Sequence, residues 1–239
     1  MTILRLFIRQ FSAAAQKGVK PDPRLLYDFV PATQKDLGKM VDLCCSDFIK
    51  VEPHSRALGL TDKDTRYLFE WIIGKSLHYP YCLTVVEKAT GRLVGLRAVS
   101  MGHRDHSLDW EPFELRIDKL PENVVKLAAV LGGSKAAFWE VVDPSITKVM
   151  RREISFIVAD HQRKGIAKTM AELNFDYDQM RADGIQGIVS EASSLANQTL
   201  LQNAGYKFLC EPEKYDWAKN IDDGTTGIKV FFKDLRVKS

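Results

Sequence analysis

One stretch of the sequence combines a strand, a short polar loop and the start of a helix in a way that could hold a phosphate group. It reads Ile154-Ser-Phe-Ile-Val-Ala-Asp-His-Gln-Arg-Lys-Gly-Ile-Ala167, and a helix is predicted from Gly165 onward. The first turn of a helix has N–H groups without intrahelical partners and a partial positive charge, so it attracts anions. Gly165 would let the backbone approach an anion closely, and Arg163 and Lys164 add positive charge beside it. The segment predicts a pyrophosphate site, although a glycine between a strand and a helix also occurs in plain connections.

The same loop contains the pattern Gln162-x-x-Gly165-x-Ala167, while the two common glycine-rich nucleotide motifs are both missing from the sequence. This pattern matches the Q/R-x-x-G-x-G/A signature of the GNAT superfamily of N-acetyltransferases. Further along, Asn197-Gln-Thr-Leu-Leu-Gln-Asn-Ala-Gly205-Tyr206 resembles the second signature of that superfamily, an Asn-led helix that runs into an aromatic residue after glycine. Together the two patterns imply a GNAT-type acyltransferase.

Three short stretches narrow the resemblance to the arylalkylamine N-acetyltransferases of invertebrates. The loop Ala-Asp-His-Gln-Arg-Lys-Gly-Ile-Ala and the helix after it look like the matching segment of the insect dopamine-type enzymes. Ser193-Ser194 stands where those enzymes carry a double serine, and Asp47-Phe-Ile-Lys-Val-Glu-Pro-His54 resembles their Glu-Pro motif. The order of elements is similar over residues 27–235, whereas identity is concentrated in these three stretches.

The resemblance implies that acetyl-CoA binds as a co-substrate along this strand and loop. Main-chain groups of the strand would pair with the pantetheine arm, and main-chain N–H groups of the loop would hold the pyrophosphate. Arg163 and Lys164 are equally well explained as solvated surface residues. The implied cofactor-binding residues are Phe156, Ile157, Val158, Gln162, Arg163, Lys164, Gly165, Ile166, Ala167 and Asn197.

Acetyl transfer to an amine needs a base, because a protonated alkylamine is not a nucleophile, and a proton donor for the departing thiolate. The resemblance makes Glu52 the base, acting through water, provided that partial burial raises its pKa. The alternative for Glu52 is a surface acid before a turn proline. Leu201 replaces the tyrosine that many GNAT enzymes use as the acid, so the resemblance points to Ser194. The alternative for Ser194 is a helix N-cap.

The acceptor pocket is expected to form from residues 102–148 and from the helices that follow Glu52. Aromatic walls would suit an arylalkylamine, but packing in the core explains aromatic residues equally well. The candidates are Trp71, Tyr79, Tyr81, Trp110, Phe113, Phe138 and Trp139.

The elements that must position these residues follow the order β-α-α-β-β-insert-β-α-β-α-β-β. Apolar residues at helical spacing predict a first helix over residues 33–48, and 88–91 form a hairpin turn. Within the insert, Gly132-Gly133 is expected to separate two short helices, over 122–131 and 134–142. A long helix is expected from Gly165 to near Gly184. The predicted fold class is α/β, a GNAT-like mixed, mostly antiparallel central sheet flanked by helices on both faces.

Composition narrows the classes of partner. The chain of 239 residues carries a net charge of +3 with scattered basic residues, which does not favour nucleic-acid binding. No apolar run is long enough to span a bilayer, so we expect no membrane partner. The four cysteines are expected to be packing residues, and the histidines, without metal-like spacing, to be surface or loop residues; no metal site is predicted. We expect a monomer or a homodimer.

Residues 1–20 differ in composition from the rest of the chain. Up to Lys20 the chain is basic and amphipathic and contains no acidic residue, which is typical of a mitochondrial transit peptide. A helix packed on the domain is the alternative, so the expected location is intracellular, either the cytoplasm or the mitochondrial matrix. We therefore predict an N-terminal extension over 1–22 and a single N-acetyltransferase domain over 23–239.

Three functional hypotheses follow from the sequence. The favoured hypothesis is an acetyl-CoA-dependent enzyme that acetylates a small, arylalkyl primary amine. The first alternative is an N-acyltransferase for a polyamine, an amino acid or a protein lysine. The second is a pseudoenzyme that binds acyl-CoA without catalysis, which should tolerate the loss of Glu52.

Overall fold

A seven-stranded sheet forms the centre of the protein. The structure, a computed structural model, describes residues 21–212 and 215–236. The strands are β1 (Tyr27–Pro31), β2 (Leu83–Glu87), β3 (Leu93–His103), β4 (Lys148–Ile157), β5 (Gly187–Ala192), β6 (Lys207–Cys210) and β7 (Lys229–Asp234). Their order across the sheet is β1-β2-β3-β4-β5-β7-β6, and all neighbours are antiparallel except β4 and β5. The predicted mixed, mostly antiparallel sheet is confirmed.

Helices cover both faces of this sheet. On one face lie α1 (Leu37–Leu43), α2 (Ile49–Val51), α3 (Pro53–Ala57), α4 (Asp62–Ser76) and α5 (Glu122–Val141). On the other face lie α6 (Ile166–Glu172), α7 (Tyr177–Ala182) and α8 (Leu195–Asn203). The two apolar layers bury nearly every strand side chain of β3 and β4, so the sheet is a rigid base for the loops at its edges.

The predicted first helix is present but contains a π-helical turn. Thr33 and Asp36 form a capping box at its start, and Met40, Val41 and Cys44 are buried as their spacing predicted. The turn Cys44–Phe48 is π-helical and joins α1 to α2. Such a turn adds a residue to the helix and so changes the direction in which the following side chains point, and Glu52 stands at the end of the short helix α2 that follows it.

The sheet opens between its two parallel strands. β4 pairs with β5 only through Met150 and Arg151, so the last residues of β4 have no partner strand on that side. The register of β4 against β3 also shifts, because Ala98 faces Ile154 whereas Val99 faces Arg152. Glu153 is the extra residue of this bulge, which bends the strand at the opening. Backbone groups on both sides of the opening are left to bind something other than a strand.

The prediction of two short helices in the insert is wrong. The helix α5 runs without a break from Glu122 to Val141, through Gly132 and Gly133. Glycine lowers helix stability by only about 1 kcal/mol, so burial of apolar residues on both sides of the pair keeps the helix continuous. A Cβ at either glycine would meet no atom within 4 Å, so the pair is not required by crowding.

The prediction of one long helix after Gly165 is also wrong. The helix ends at Glu172, and α7 begins only at Tyr177. Asn174 has a φ of 64°, which is outside the α-helical region.

Two buried arginines explain this break. Arg97 donates to the carbonyl of Met170 at 2.5 Å, and Arg152 donates to the carbonyl of Ala171 at 2.8 Å. These guanidinium groups take the acceptors that a continued helix would have used.

The predicted extension falls almost wholly outside the described residues. The composition that resembles a transit peptide lies within 1–20, which the structure does not describe. In the part of the chain that it does describe, no helix is long and apolar enough to cross a membrane.

Candidate active site

A cavity of about 190 Å³ lies where the sheet opens. Its floor includes Glu153 and Ile154 of β4 and Glu191 of β5, and its walls come from helices α4 and α5. The remaining lining residues include Phe48, Glu52, His54, Ser55, Phe69, Trp71, Leu127, Leu131, Gly132, Lys135 and Ser193. The cavity therefore joins apolar and aromatic walls to several ionisable groups, as small-molecule sites do.

Glu52 lies in this cavity as the N-cap of α3, and its side chain is buried. One carboxylate oxygen accepts from the backbone N–H of His54 and lies 3.1 Å from its Nδ1. The other accepts from the backbone N–H and the hydroxyl of Ser55, at 2.6 and 2.7 Å. Each oxygen thus has two partners, which fixes the carboxylate firmly.

The proviso that burial raises the pKa of Glu52 is not met. Burial by itself raises this pKa, but the hydrogen bond and charge of His54, together with the bonds from Ser55, outweigh it and hold the pKa below its ordinary value. Glu52 is therefore ionised at neutral pH and ready to accept a proton, although with modest basicity. Its alternative role as a surface acid is excluded by its burial.

Two histidines are buried; His54, on a helix, is neither the surface nor the loop residue that was predicted, whereas His161 is a loop residue as predicted. His54 is fully enclosed, and the rings of Tyr215 and Trp217 lie 5.8 Å from its imidazole. His161 does lie in the loop after β4, but its Nδ1 is 2.9 Å from the buried hydroxyl of Tyr27. Among the described residues, no group of three His, Cys, Asp or Glu side chains is placed to hold a metal ion.

Glu153 and Glu191 each have a cationic partner. Lys135 of α5 lies 2.8 and 3.0 Å from the two oxygens of Glu153, which also accepts from Ser100. Arg151 donates to Glu191 at 2.6 Å, and both side chains are buried.

The loop after β4 has the conformation that a close anion contact needs. Gly165 caps α6 with a φ of 85°, and Arg163 has a φ of 60°. A Cβ at residue 165 would lie 3.2 Å from a ring carbon of Pro23. Gln162 donates its side-chain amide to the carbonyl of Ile157 at 3.0 Å and so ties the loop back to β4.

Nine of the ten implied cofactor-binding residues lie at the end of β4 or in the loop and first helical turn that follow it, and Asn197 does not. Phe156, Ile157 and Val158 are buried beyond the last β4–β5 pair, and Ile166 is buried at the start of α6. Arg163, Lys164 and Ala167 extend from the same loop and first turn. Asn197 lies on α8 and donates its backbone N–H to Ser194.

The two serines occupy different positions. Ser194 is the N-cap of α8, and its hydroxyl accepts from Asn197 at 3.3 Å. Ser193 lines the cavity together with Glu52, whereas Ser194 does not. Ser194 therefore acts as a helix N-cap, which is the alternative given above to its role as proton donor.

Only one of the predicted aromatic wall residues lines the cavity. Trp71 does so, together with Phe48 and Phe69, which sequence analysis had not proposed. Phe138 and Trp139, near the end of α5, belong to a separate core cluster with residues of β5 and β7. The core-packing alternative is right for these two, because they face β5 and β7 rather than the opening.

Sequence analysis missed the ionisable residues of the cavity other than Glu52. Lys135 follows Gly132-Gly133, where the predicted helix boundary hid its position on a continuous helix. Glu153 lies within an apparently regular strand, and no local signal marks a bulge. The one local hint is the run of three charged residues, Arg151-Arg-Glu153, in the middle of a strand whose other residues are mostly apolar.

No protein-family model matches the sequence, and no protein of curated function matches it. Among solved structures, arylalkylamine N-acetyltransferase 2 from Aedes aegypti is 14% identical, with a TM-score of 0.67 over 87% of this chain and 99% of that one. A putative arylalkylamine N-acetyltransferase 7 from the same mosquito is 12% identical, with a TM-score of 0.64 over 87% of each chain.

A third similar structure is a polyamine N-acetyltransferase from Drosophila melanogaster that forms N-acetylagmatine. It is 11% identical, with a TM-score of 0.62 over 87% of this chain and 99% of that one. Likeness at such low identity concerns the fold, and it agrees with the resemblance drawn from the signature residues. The chain therefore has the GNAT fold, in the form shared by insect arylalkylamine and polyamine N-acetyltransferases.

Proposed function

We propose that this protein transfers the acetyl group of acetyl-CoA to the primary amine of a small arylalkylamine. The observation that carries the proposal is the position of Glu52, buried in a cavity that begins where β4 and β5 separate. Acetyl-CoA would supply the activated thioester, with its pantetheine arm along the free side of β4 and its pyrophosphate at the loop before α6. Gly165 fits that role, since glycine adopts this positive φ readily and has no Cβ to cover the backbone.

Glu52 acts as the base of the proposed reaction. The ammonium proton passes through water to the carboxylate, and the free amine then attacks the thioester carbonyl. The carbon–sulfur bond breaks as the amide forms, and CoA leaves as the thiolate, which takes up a proton. Ser194 is proposed as the donor from the resemblance; Ser193 is the serine that reaches the cavity, so both hydroxyls belong in the test.

The apolar wall favours an aromatic acceptor. Phe48, Phe69 and Trp71 line the cavity beside Leu127 and Leu131, and an aromatic ring buried among them would gain about 25 cal/mol per Å² of apolar surface. Glu52 lies at the polar side of the same cavity, where the amine of such a ligand would reside.

The test is release of free thiol from acetyl-CoA with tryptamine, tyramine, dopamine and phenethylamine. Wild-type protein is expected to turn over at least one of them, and Glu52→Gln to lower kcat/KM by about a hundredfold, because general-base catalysis contributes on that scale. Glu140→Gln, at an exposed position of α5, is the matched control and should keep full activity. Turnover unaffected by Glu52→Gln would remove Glu52 as the base.

If no amine is turned over, the affinity of the protein for acetyl-CoA distinguishes a non-catalytic acyl-CoA binder from a protein without a CoA site. Acetyl-CoA affinity is measured by calorimetry on the same preparation. Binding without turnover of any amine would favour the non-catalytic acyl-CoA binder, and failure to bind at micromolar concentration would refute the proposal as a whole.

A further inference from the structure

Three carboxylates line the cavity, but two of them already have a basic partner. Glu153 is paired with Lys135, and Glu191 with Arg151. Among the described residues, Glu52 is the one cavity-lining carboxylate without a lysine or arginine beside it. The cavity wall therefore offers one carboxylate, that of Glu52, to pair with the positive charge of a ligand.

Both residues of the Lys135–Glu153 pair are positioned by regular secondary structure. Lys135 projects from α5, which forms a wall of the cavity, and Glu153 is the bulged residue of β4. Ser100 of β3 donates to Glu153 at 2.6 Å. With the two contacts from Lys135, the carboxylate therefore accepts three short hydrogen bonds from two side chains. Burial works against ionisation of Glu153, but the charge of Lys135 outweighs it and lowers the pKa to about 2.

The Arg151–Glu191 pair is even less available to a ligand. Both side chains are almost fully enclosed, and the guanidinium lies 5.5 Å from the rings of Phe138 and Trp139. A ligand cation would have to displace a guanidinium that lies against two aromatic rings and donates to Glu191 at 2.6 Å.

We propose that Lys135 is a specificity-determining residue, which occupies Glu153 and so restricts the cavity to acceptors with a single positive charge. The inference rests on the proposed function. It concerns the difference between arylalkylamines, which carry one charge, and diamines or agmatine, which carry two. A second ammonium group would enter this cavity beside Lys135 without a free carboxylate, and a buried charge without a partner is strongly disfavoured.

The first test compares acceptors on the wild-type protein. Hexylamine and cadaverine have the same number of heavy atoms and differ by one terminal ammonium group, so their kcat/KM ratio isolates the second charge. Wild-type protein is expected to favour hexylamine by about tenfold or more, and agmatine to be as poor an acceptor as cadaverine. Equal or better use of cadaverine would overturn the inference.

The second test removes the lysine. Lys135→Met leaves Glu153 free to pair with the second ammonium, so the preference for hexylamine should fall by about tenfold or reverse. The double variant Lys135→Met with Glu153→Gln removes both charges and should restore the wild-type preference. Lys126→Met, on an exposed turn of the same helix, is the control and should leave the ratio unchanged.

The outcomes distinguish this inference from the proposed function. Absence of turnover with every amine refutes the function, and this inference with it. Turnover with an unchanged hexylamine-to-cadaverine ratio in folded Lys135→Met refutes the inference alone. If Lys135→Met does not fold, Lys135→Gln takes its place, because its amide can still donate to Glu153 while the positive charge is removed, and the same fall in the hexylamine preference is expected.

Discussion

The Glu52 carboxylate has four hydrogen-bond donors, and they differ in whether they can also accept a hydrogen bond once Glu52 is protonated. Two are backbone N–H groups of His54 and Ser55, which can only donate. Because an ionised carboxylate is an acceptor, the Nδ1 of His54 must carry a proton when it faces Glu52. The hydroxyl of Ser55 can rotate and accept, so it is the partner that lets Glu52 hold a proton without losing all its contacts.

His54 is expected to set the pH at which activity begins. The pKa of Glu52 is held low against burial, with His54 as the main opposing group, so His54→Leu should let burial dominate and raise that pKa. A base works only when ionised, and the acidic limb of the kcat/KM profile should therefore move to higher pH in His54→Leu. His54→Asn keeps an N–H near the same position and should return the limb towards that of the wild type.

An unchanged acidic limb in both variants would mean that His54 has only a packing role against Tyr215 and Trp217. Thermal unfolding of each variant is the control, because loss of packing lowers Tm without moving the limb.

Sequence patterns found the residue at the centre of the site but little of its surroundings. Glu52 and the loop around Gly165 were predicted, because short motifs and backbone requirements are local properties. Lys135, Glu153 and Ser193 come together only through the bulge of β4 and the course of α5. Long-range packing determines such contacts, so no local spacing reveals them.

At the scale of elements, strands and amphipathic helices were predictable, and their interruptions were not. Alternation and helical spacing located all seven strands and the first helix, because burial of one face leaves a periodic signal. The break after α6 depends on arginines of β3 and β4 that lie far away in sequence. The continuity of α5 through two glycines depends on the elements packed on either side of it.

The loop before α6 is tested by paired glycine substitutions. Gly165 and Gly184 have φ values of 85° and 77°, so alanine at either position costs about 1–2 kcal/mol of conformational energy. A Cβ at 184 meets nothing within 4 Å, whereas one at 165 faces Pro23 and the predicted anion site. Both variants should lose several degrees of Tm, and only Gly165→Ala should weaken acetyl-CoA binding in calorimetry.

Equal acetyl-CoA affinity in the two glycine variants would place the pyrophosphate elsewhere. Gly184→Ala has a similar backbone strain at a position away from the site, so its acetyl-CoA affinity shows how much of the effect of Gly165→Ala comes from lost stability alone.

For the whole molecule, the buried charges predict how stability depends on pH. The pKa of Glu153 is lowered to about 2 in the folded protein, against an ordinary value of 4.5. The unfolded chain therefore binds this proton first, so the stabilisation is fully present above the ordinary value and is lost as pH falls towards 2. Urea unfolding between pH 6 and 3, values chosen to span roughly this interval, should show a shallower decline for Glu153→Gln than for wild type.

If Glu153→Gln and the wild type lost stability in parallel over that range, the pKa of Glu153 would be the same in the folded and the unfolded protein, and the pair with Lys135 would not lower it. Asp143, whose exposed carboxyl also has a pKa lowered to about 2 by bonds from Ser145, is present in both proteins and cancels in the comparison.

The two ends of the described chain lie at opposite ends of β4. Pro23 lies against Gly165, just beyond the end of that strand, whereas Arg236 bonds to Ser145 at 2.7 Å, just before its start. An affinity tag or fusion partner joined directly to residue 21 would therefore begin beside the loop where acetyl-CoA is expected. A tag joined directly after Arg236 would begin near the start of β4, at the other end of that strand, and it is the arrangement expected to leave binding measurements undisturbed.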